Sequence, residues 1–406
     1  MTLEAVEFLL SPRGREAFDL LSGNPGGSLA AGKLLRRRFP DVPPEFLAAA
    51  AELAEARERG RGKFTRADEM YFTREALEQA THEQVAEHRA ERFRGLGEVC
   101  DACCGIGGDA LALGKASKRL VCVDTDPLRL LFCGENLRLH GVSARLVRAD
   151  ILDMRETVSR FDALFIDPSR RPGGRRTLDP ERMEPPLGRV FELLGAVKRG
   201  AAKLPPSVRR EDIPISCEIE WVSTGDGLKE ATLWTGAFQR CASTVSLLHR
   251  NAFLSDCDLP DEEPDIGEGA FLHEPDPALI RSGLLGCKAA SLGMRLLDRR
   301  IAYTSSDEPV SDPFFTSWRV IRAFPFGMKR LEGELNALGM STVTVKKRGF
   351  PLSPEDVVRK LRLHGSGLAT VILARVEKGH RAYIVERMGD SPGTGPGDTR
   401  SETPTR

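Results

Sequence analysis

The sequence of 406 residues lacks several features that identify whole classes of protein. It has no apolar run of about 18 residues or more, so we expect no transmembrane helix. Its first residues, MTLEAVEFLLSPRG, lack a basic start and a long apolar stretch, and the nine cysteines are an odd number. We therefore expect a cytoplasmic rather than a secreted protein. Lys and Arg number 59, as do Asp and Glu, so any nucleic-acid binding must depend on local patches.

A complete cysteine metal motif is also missing. Cys100, Cys103 and Cys104 have the spacing of one CxxC half of a metal site, but no second pair of ligands follows at a suitable spacing. Small buried thiols are the simpler interpretation, because free cysteine behaves as a small apolar side chain. The sequence therefore predicts no metal site.

The most informative stretch that is present runs from residue 99 to 124, VCDACCGIGGDALALGKASKRLVCVD. It predicts a buried strand from Glu98 to Asp101, a turn with glycines, a helix, and a second strand that ends at Asp124. Glycine lets the backbone approach a ligand closely, and the N-terminus of the helix offers free N–H groups. An acid at the end of the second strand can bind two ribose hydroxyls. This stretch predicts a nucleotide-cofactor site.

Two cofactors fit such a unit, a dinucleotide and S-adenosylmethionine. Gly105, Gly107 and Ala110 satisfy the G-x-G-x-x-A pattern of pyrophosphate binders, but a single match of this kind is a weak signal. About a hundred residues precede the turn, whereas dinucleotide motifs usually open their domain. Asp101 at the strand end would repel the negative charge of a pyrophosphate, whereas it would attract the ammonium group of a methionine. The context therefore favours S-adenosylmethionine.

Two further acids follow predicted strands. RLVRADILD places Asp150 at the end of a third strand, and FDALFIDPSR places Asp167 and Pro168 at the end of a fourth. Because the carboxyl ends of parallel strands line one crevice, these acids should converge with Asp101 and Asp124. An alternative for Asp150 is the N-cap of the helix ILDMRETV, and both roles are compatible.

With these acids in this order, residues 95 to 250 resemble the class I S-adenosylmethionine-dependent methyltransferases. Residues 70 to 93 resemble the lead-in helix of the trimethylguanosine synthase group of RNA methyltransferases. Over the whole chain the match is to the prokaryotic THUMP-like-domain methyltransferases, whose C-terminal domain resembles residues 310 to 388. The resemblance implies S-adenosyl-L-methionine as the cofactor, RNA as a partner, and cofactor contacts at Phe72, Thr81, Asp101, Cys103, Gly105, Gly107, Asp124 and Asp150. Phe72 could equally be a core residue.

We expect the methyl acceptor to lie at Asp167, Pro168, Ser169 and Arg170. In amino-group methyltransferases this loop is usually Asp/Asn-Pro-Pro followed by an aromatic that stacks on the base. Here Ser169 and Arg170 replace the second proline and the aromatic, and a guanidinium plane can also stack on a base. A cluster of Arg170, Arg171, Arg175 and Arg176 would hold phosphates or be a solvated basic loop. The absence of a cysteine suited to attack a pyrimidine ring disfavours methylation of uracil or cytosine carbon.

These observations predict an S-adenosylmethionine-dependent methyltransferase that acts on a base nitrogen, and the family resemblance implies that the base belongs to RNA. The alternatives are a methyltransferase for a small molecule or a protein, and a cofactor-binding RNA adaptor without catalysis. The expected fold is α/β, with a Rossmann-like, mostly parallel sheet and an antiparallel edge hairpin formed by TLWTG and TVSLL. The predicted segments are 1–92, an N-terminal helical domain; 93–250, the S-adenosylmethionine-binding domain; 251–309, a linker with connecting helices; 310–388, a small THUMP-like α+β domain; and 389–406, a disordered tail.

Overall fold

The computed structural model describes residues 1–22, 28–169, 180–377 and 379–389. The chain divides into two compact units, one of Met1–Glu218 and Ala231–Arg240, the other of Ile219–Glu230 and Cys241–Arg406. The five segments predicted from the sequence are finer than this division and stay predictions. No helix in the described ranges has the length and the apolar character needed to cross a membrane.

The first unit begins with helices, as the apolar spacing predicts. Side-chain caps fix several of the helix starts: the Thr2 hydroxyl accepts from Ala5 N at 3.3 Å, and Thr73 does the same for Ala76 N at 3.1 Å. Leu9, Leu35 and Leu53 are fully buried between these helices. The helices are α1 (Leu3–Leu10), α2 (Pro12–Ser22), α3 (Ser28–Arg38), α4 (Pro44–Gly60), α5 (Arg74–Gln79) and α6 (Glu83–Ala90).

A mixed, mostly parallel sheet follows. The strands are β1 (Glu98–Ala102), β2 (Arg119–Asp124), β3 (Arg145–Arg148), β4 (Ala163–Ile166), β5 (Arg199–Leu204), β6 (Glu218–Thr224), β7 (Gly227–Gly236), β8 (Ser243–Leu247) and β9 (Ala252–Ser255). Within the first unit, β3, β2, β1, β4 and β5 lie side by side in parallel, and Ala231–Gly236 of β7 pairs antiparallel with β5. The helices between them are α7 (Gly108–Ala116), α8 (Pro127–Leu139), α9 (Arg155–Val158) and α10 (Leu187–Gly195).

The register of the central strands brings their carboxyl ends to one level. Ala102 at the end of β1 pairs with Val123 of β2 on one side and with Ile166 of β4 on the other. β4 is buried along its whole length, as expected for a parallel strand covered on both faces. This edge of the sheet is therefore where the strand-end acids come together.

The predicted pairing of TLWTG with TVSLL is wrong. TVSLL starts within β8, whose two neighbours are β6, in parallel, and β9, antiparallel. TLWTG lies in β7, which a tight turn at Gly225 and Asp226 joins to β6. Gly227 after that turn has a φ of +106°, a value that favours glycine. The turn sequence TGDG carried the correct hairpin signal, whereas apolar alternation alone did not identify the partner strand.

The second unit contains a seven-stranded sheet in the order β11-β12-β10-β13-β16-β15-β14. β15 and β16 form the predicted antiparallel hairpin, and Ser353 caps α14 by accepting from Asp356 N at 3.0 Å. The strands are β10 (Phe271–Pro275), β11 (Arg295–Leu296), β12 (Thr304–Ser306), β13 (Phe315–Pro325), β14 (Met340–Arg348), β15 (Gly367–Val376) and β16 (Gly379–Arg387). The helices are α11 (Pro277–Arg281), α12 (Leu285–Ser291), α13 (Met328–Ala337) and α14 (Pro354–Lys360).

The segment 251–309, predicted as a linker with connecting helices, contributes three strands to this sheet. β10 pairs with β13 and β12, and β12 pairs with β11. These strands are only two to five residues long and carry one glutamate, two serines and a proline, so they show no apolar alternation. Their pairing depends on β13, which is distant in sequence.

Candidate functional site

The four strand-end acids lie at the ends of adjacent strands. Asp101 is the penultimate residue of β1 and Asp124 is the last residue of β2. Asp150 and Asp167 follow the ends of β3 and β4. The backbone joins these ends directly, because Asp167 N donates to Ala102 O at 3.1 Å and Ala149 N donates to Asp124 O at 3.2 Å. The structure therefore gathers the predicted acids at one edge of the sheet.

The turn between β1 and α7 has the left-handed backbone that the glycines suggest. Cys103, Gly105 and Gly107 have φ values of +61°, +54° and +87°. Gly107 is the N-cap of α7, and a Cβ on it would lie 3.0 Å from Cys133 Sγ. Both the backbone conformation and the close approach of α8 therefore require glycine at this position. The turn leaves the first N–H groups of α7 at the strand ends.

Asp124 organises this turn. Its Oδ2 accepts a hydrogen bond from Gly105 N and its Oδ1 accepts one from Asp126 N, each at 2.9 Å. Burial raises the pKa of this carboxyl, while the two backbone donors act in the opposite direction. A carboxylate has about four lone-pair sites, so two bonds leave capacity for a pair of hydroxyl donors. The arrangement fits the ribose diol of a nucleoside.

Asp101 is fully buried, and neither of its carboxylate oxygens has a hydrogen-bond partner within the described residues. Burial, followed by the negative charges of Asp109 and Cys133, raises its pKa well above the usual range. A buried polar group without a partner is costly, and it is retained where a ligand supplies the partner. The ammonium group of a methionine has the charge and the donors that this carboxylate needs.

A chain of buried and partly buried polar contacts extends from α7 to Asp167. Asp109, near the start of α7, accepts from Thr81 Oγ1 at 2.6 Å and forms an ion pair with Arg89. Thr81 Oγ1 in turn accepts from Lys203 Nζ at 3.0 Å, and Lys203 Nζ lies 2.8 Å from Asp167 Oδ2. Thr81 is therefore brought to the site, although its hydroxyl is already used once as donor and once as acceptor.

Lys203, near the end of β5, is a site residue that the sequence reasoning missed. Its ammonium donates to Asp167 Oδ2, to Thr81 Oγ1 and to Gln79 O, the last at 3.2 Å. An ammonium has three donors, and these three acceptors match them. The available signal was one lysine that follows Gly200, Ala201 and Ala202 near the end of the strand RGAAKL.

Asn136 of α8 was also missed. It is fully buried, accepts from Tyr71 N at 2.8 Å, and donates to Tyr71 O and Ile106 O, both at 2.9 Å. One amide therefore connects the lead-in segment to the glycine turn. A buried Asn within an amphipathic helix gives no sequence signal that distinguishes this role from an exposed one.

Phe72 takes the core position that was its alternative role. It is fully buried, and its ring tip would lie 2.9 Å from a Cβ on Gly60 of α4. The Phe72 ring therefore packs against the N-terminal helices. A role in closing over the cofactor stays a prediction.

Of the remaining predicted site residues, the structure describes some and leaves the arginines outside its described ranges. Asp150 is exposed and accepts from Leu152 N at 2.9 Å, which is the capping role given as its alternative. Pro168 is buried, and Ser169 exchanges two backbone hydrogen bonds with Glu184, at 2.8 and 3.0 Å. Arg170 and the other arginines of the predicted basic loop, Arg171, Arg175 and Arg176, lie outside the described residues.

Comparison with known proteins agrees with this geometry. Residues 96–169 match the family model of RNA cap guanine-N2 methyltransferases, and residues 315–387 match that of THUMP-like domains. Uncharacterized S-adenosylmethionine-dependent methyltransferases of two Mycobacterium tuberculosis strains, CDC 1551 and H37Rv, are each 32% identical over 365 residues, covering 86% of this chain and 98% of theirs. A crystal structure of a candidate methyltransferase from Porphyromonas gingivalis W83 has a TM-score of 0.70 at 20% identity, covering 86% of this chain and 92% of that one.

Proposed function

Because the chain belongs to the S-adenosylmethionine-dependent methyltransferases, we propose that it methylates a nitrogen atom of an RNA base. The cofactor is S-adenosyl-L-methionine. The observation that carries the proposal is the position of Asp167 beside Lys203, at the same sheet edge as the cofactor acids. The catalytic part of the proposal concerns residues of the first unit.

The cofactor-binding residues would be those at the glycine turn. Asp101 binds the ammonium, Asp124 binds the ribose hydroxyls, and the turn at Gly105 and Gly107 lets the backbone approach the ligand. When bound, S-adenosylmethionine supplies a methyl group on a sulfonium, which a nucleophile can accept. Asp150, next to the backbone of Ile151 and Leu152, lies where an adenine contact would be made.

Asp167 would orient the acceptor. Lys203 holds Oδ2, and no hydrogen bond to Oδ1 is found among the described residues, so Oδ1 can accept from the N–H of a base amine. A hydrogen bond of this kind aligns the nitrogen lone pair, and orientation supplies a large share of catalysis in a transfer that needs little covalent chemistry. Carboxylate recognition favours a nitrogen acceptor over a carbon one.

RNA as the substrate class is supported by the two family models. The match to RNA cap guanine-N2 methyltransferases covers the cofactor turn and ends at Ser169, and the exocyclic amine of guanine is the kind of donor that Asp167 can bind. The THUMP-like match covers β13 to β16. Because positive and negative residues are equal in number, local groups such as the exposed Lys360 and Arg362 would provide the phosphate contacts.

The test is transfer of tritiated methyl groups from S-adenosylmethionine into RNA, protein and small-molecule fractions of cells that lack the gene. We expect label in RNA that ribonuclease removes and that nucleoside mass spectrometry assigns to a methylated base nitrogen. Label that survives ribonuclease would favour a protein or small-molecule acceptor. The adaptor alternative is tested with Asp167→Asn, which should abolish turnover while calorimetric cofactor affinity stays within about twofold.

A further inference from the structure

Three cysteines from three different elements meet beneath the glycine turn. Cys104 lies in the turn, Cys122 in β2 and Cys133 in α8, and their Sγ atoms all lie within 4.8 Å of one another. All three are buried, and none forms a disulfide. We call them the thiol cluster. The pairs are separated by 11 or more positions in the sequence, so spacing did not reveal the cluster.

We propose that the thiol cluster is a binding site for a soft monovalent metal ion, of which Cu(I) is the natural member. Thiolate sulfur selects soft ions. A metal–sulfur distance of about 2.3 Å places three sulfurs roughly 4 Å apart around a trigonal ion, which is within the separation observed. The described residues supply three ligand atoms to this group.

Coordination number favours Cu(I) over Zn²⁺. The cluster consists of three sulfur ligands, and no fourth His, Cys, Asp or Glu ligand atom joins them in the part of the chain that the structure describes. Structural zinc sites are almost always four-coordinate. Cysteine binds metals as the thiolate, so uptake of the ion would release thiol protons.

An ion at this position would link parts of the cofactor site. Cys104 directly precedes Gly105, whose N–H binds Asp124, and Cys133 Sγ lies against Gly107. A bound ion would therefore tie the turn, β2 and α8 together. Because it would bind the folded chain alone, it should raise the melting temperature by mass action.

The experiment is an anaerobic titration of the full chain with Cu(I) buffered by a chromogenic chelator. A second, partly exposed group of Cys241, Asp256 and Cys257 could also hold copper. The background is therefore the double variant Cys241→Ser and Cys257→Ser. We expect one equivalent of Cu(I), three sulfur neighbours in copper X-ray absorption, and a melting temperature raised by a few degrees. Cys104→Ser, Cys122→Ser and Cys133→Ser should each weaken binding by at least tenfold, whereas Cys287→Ser, outside the cluster, should not.

Circular dichroism identifies any variant that fails to fold, and Cys104→Ala then provides a second substitution at the same buried position. The proposal is overturned if the background protein binds no more Cu(I) than its Cys104→Ser form. It is also overturned if Zn²⁺ displaces Cu(I). None of these outcomes depends on the RNA substrate.

Discussion

Replacing Asp101 with Asn should weaken cofactor binding and stabilise the ligand-free protein at the same time. Asp101 is fully buried with both oxygens unpartnered among the described residues. The substitution removes the charged group to which the cofactor ammonium would donate. A hydrogen bond to a charged group contributes about 1.5–3 kcal/mol, so affinity should fall roughly 10- to 150-fold. The neutral amide costs less to bury, so the unfolding free energy should rise by about 1 kcal/mol, or roughly 2–4 °C in melting temperature.

The pH dependence of stability and of cofactor affinity gives a second test of the role of Asp101. The pKa of Asp101 in the folded chain lies above the value of 3.8 in the unfolded chain. The unfolded chain therefore loses this proton at lower pH, and stability falls as the pH rises from about 3.8 through the folded pKa. Below the folded pKa, cofactor binding must also release the proton, so affinity should rise with pH. Both dependences should disappear in Asp101→Asn.

Calorimetry with S-adenosylhomocysteine, which keeps the ammonium, measures affinity, and two buffers of different ionisation enthalpy count the released protons. Thermal melts of the ligand-free protein measure stability. The matched control is Asp162→Asn, because Asp162 binds Glu98 N at the opposite end of β1, at 2.8 Å. Its cofactor affinity should not change. Wild-type affinity in Asp101→Asn, or a lower melting temperature, would refute the assignment of Asp101.

Four further predictions follow from the same structure. Asp124→Ala should weaken calorimetric S-adenosylmethionine binding by roughly 1.5–3 kcal/mol, and unchanged affinity would contradict its ribose role. Gly107→Ala should lower the unfolding free energy measured in urea by more than Gly141→Ala does. Both positions have a left-handed backbone, which costs alanine about 1–2 kcal/mol, but only a Cβ at Gly107 would also displace Cys133, since Gly141 has φ +68° and open space around it. Equal losses of stability would exclude a clash with Cys133. Lys203→Met should reduce the turnover rate up to ~10²-fold, with a smaller effect on cofactor affinity, and Lys203→Arg should retain part of the turnover. A loss confined to cofactor affinity would contradict a positioning role for Lys203. Burial lowers the pKa of His273 to about 4. The unfolded chain therefore takes up this proton first, and the unfolding free energy should fall by roughly 3 kcal/mol as the pH drops from the usual histidine pKa of 6.5 to 4. Urea unfolding should show no such pH dependence in His273→Asn.

The parts of the site that sequence reasoning identified are those that local chemistry determines. A glycine turn between a strand and a helix, and acids that directly follow strands, occupy contiguous positions, and parallel pairing brings their ends together. Gly107 is an example, because its left-handed φ is required by the turn itself. The fold class was predictable for the same reason.

The parts that were missed depend on contacts between distant positions. Lys203 meets Asp167 and Thr81 across 36 and 122 positions, and Asn136 meets Tyr71 across 65. A lysine at a strand end and an asparagine in a helix are ordinary residues until the chain has folded. The hairpin error has the same origin, because the partner of β8 was decided by sheet order rather than by its own alternation.

The Asn136 bridge has a consequence for where the catalytic unit can be cut. The family match begins at residue 96, yet the glycine turn is fastened through Asn136 to the backbone of Tyr71, which lies 25 positions upstream. An excised fragment that starts at the boundary of the match would lose two of the three buried hydrogen bonds of that amide, those to the N and O atoms of Tyr71. The segment around Tyr71 therefore helps to hold the glycine turn in place, and a truncation that removes it is expected to disturb that turn.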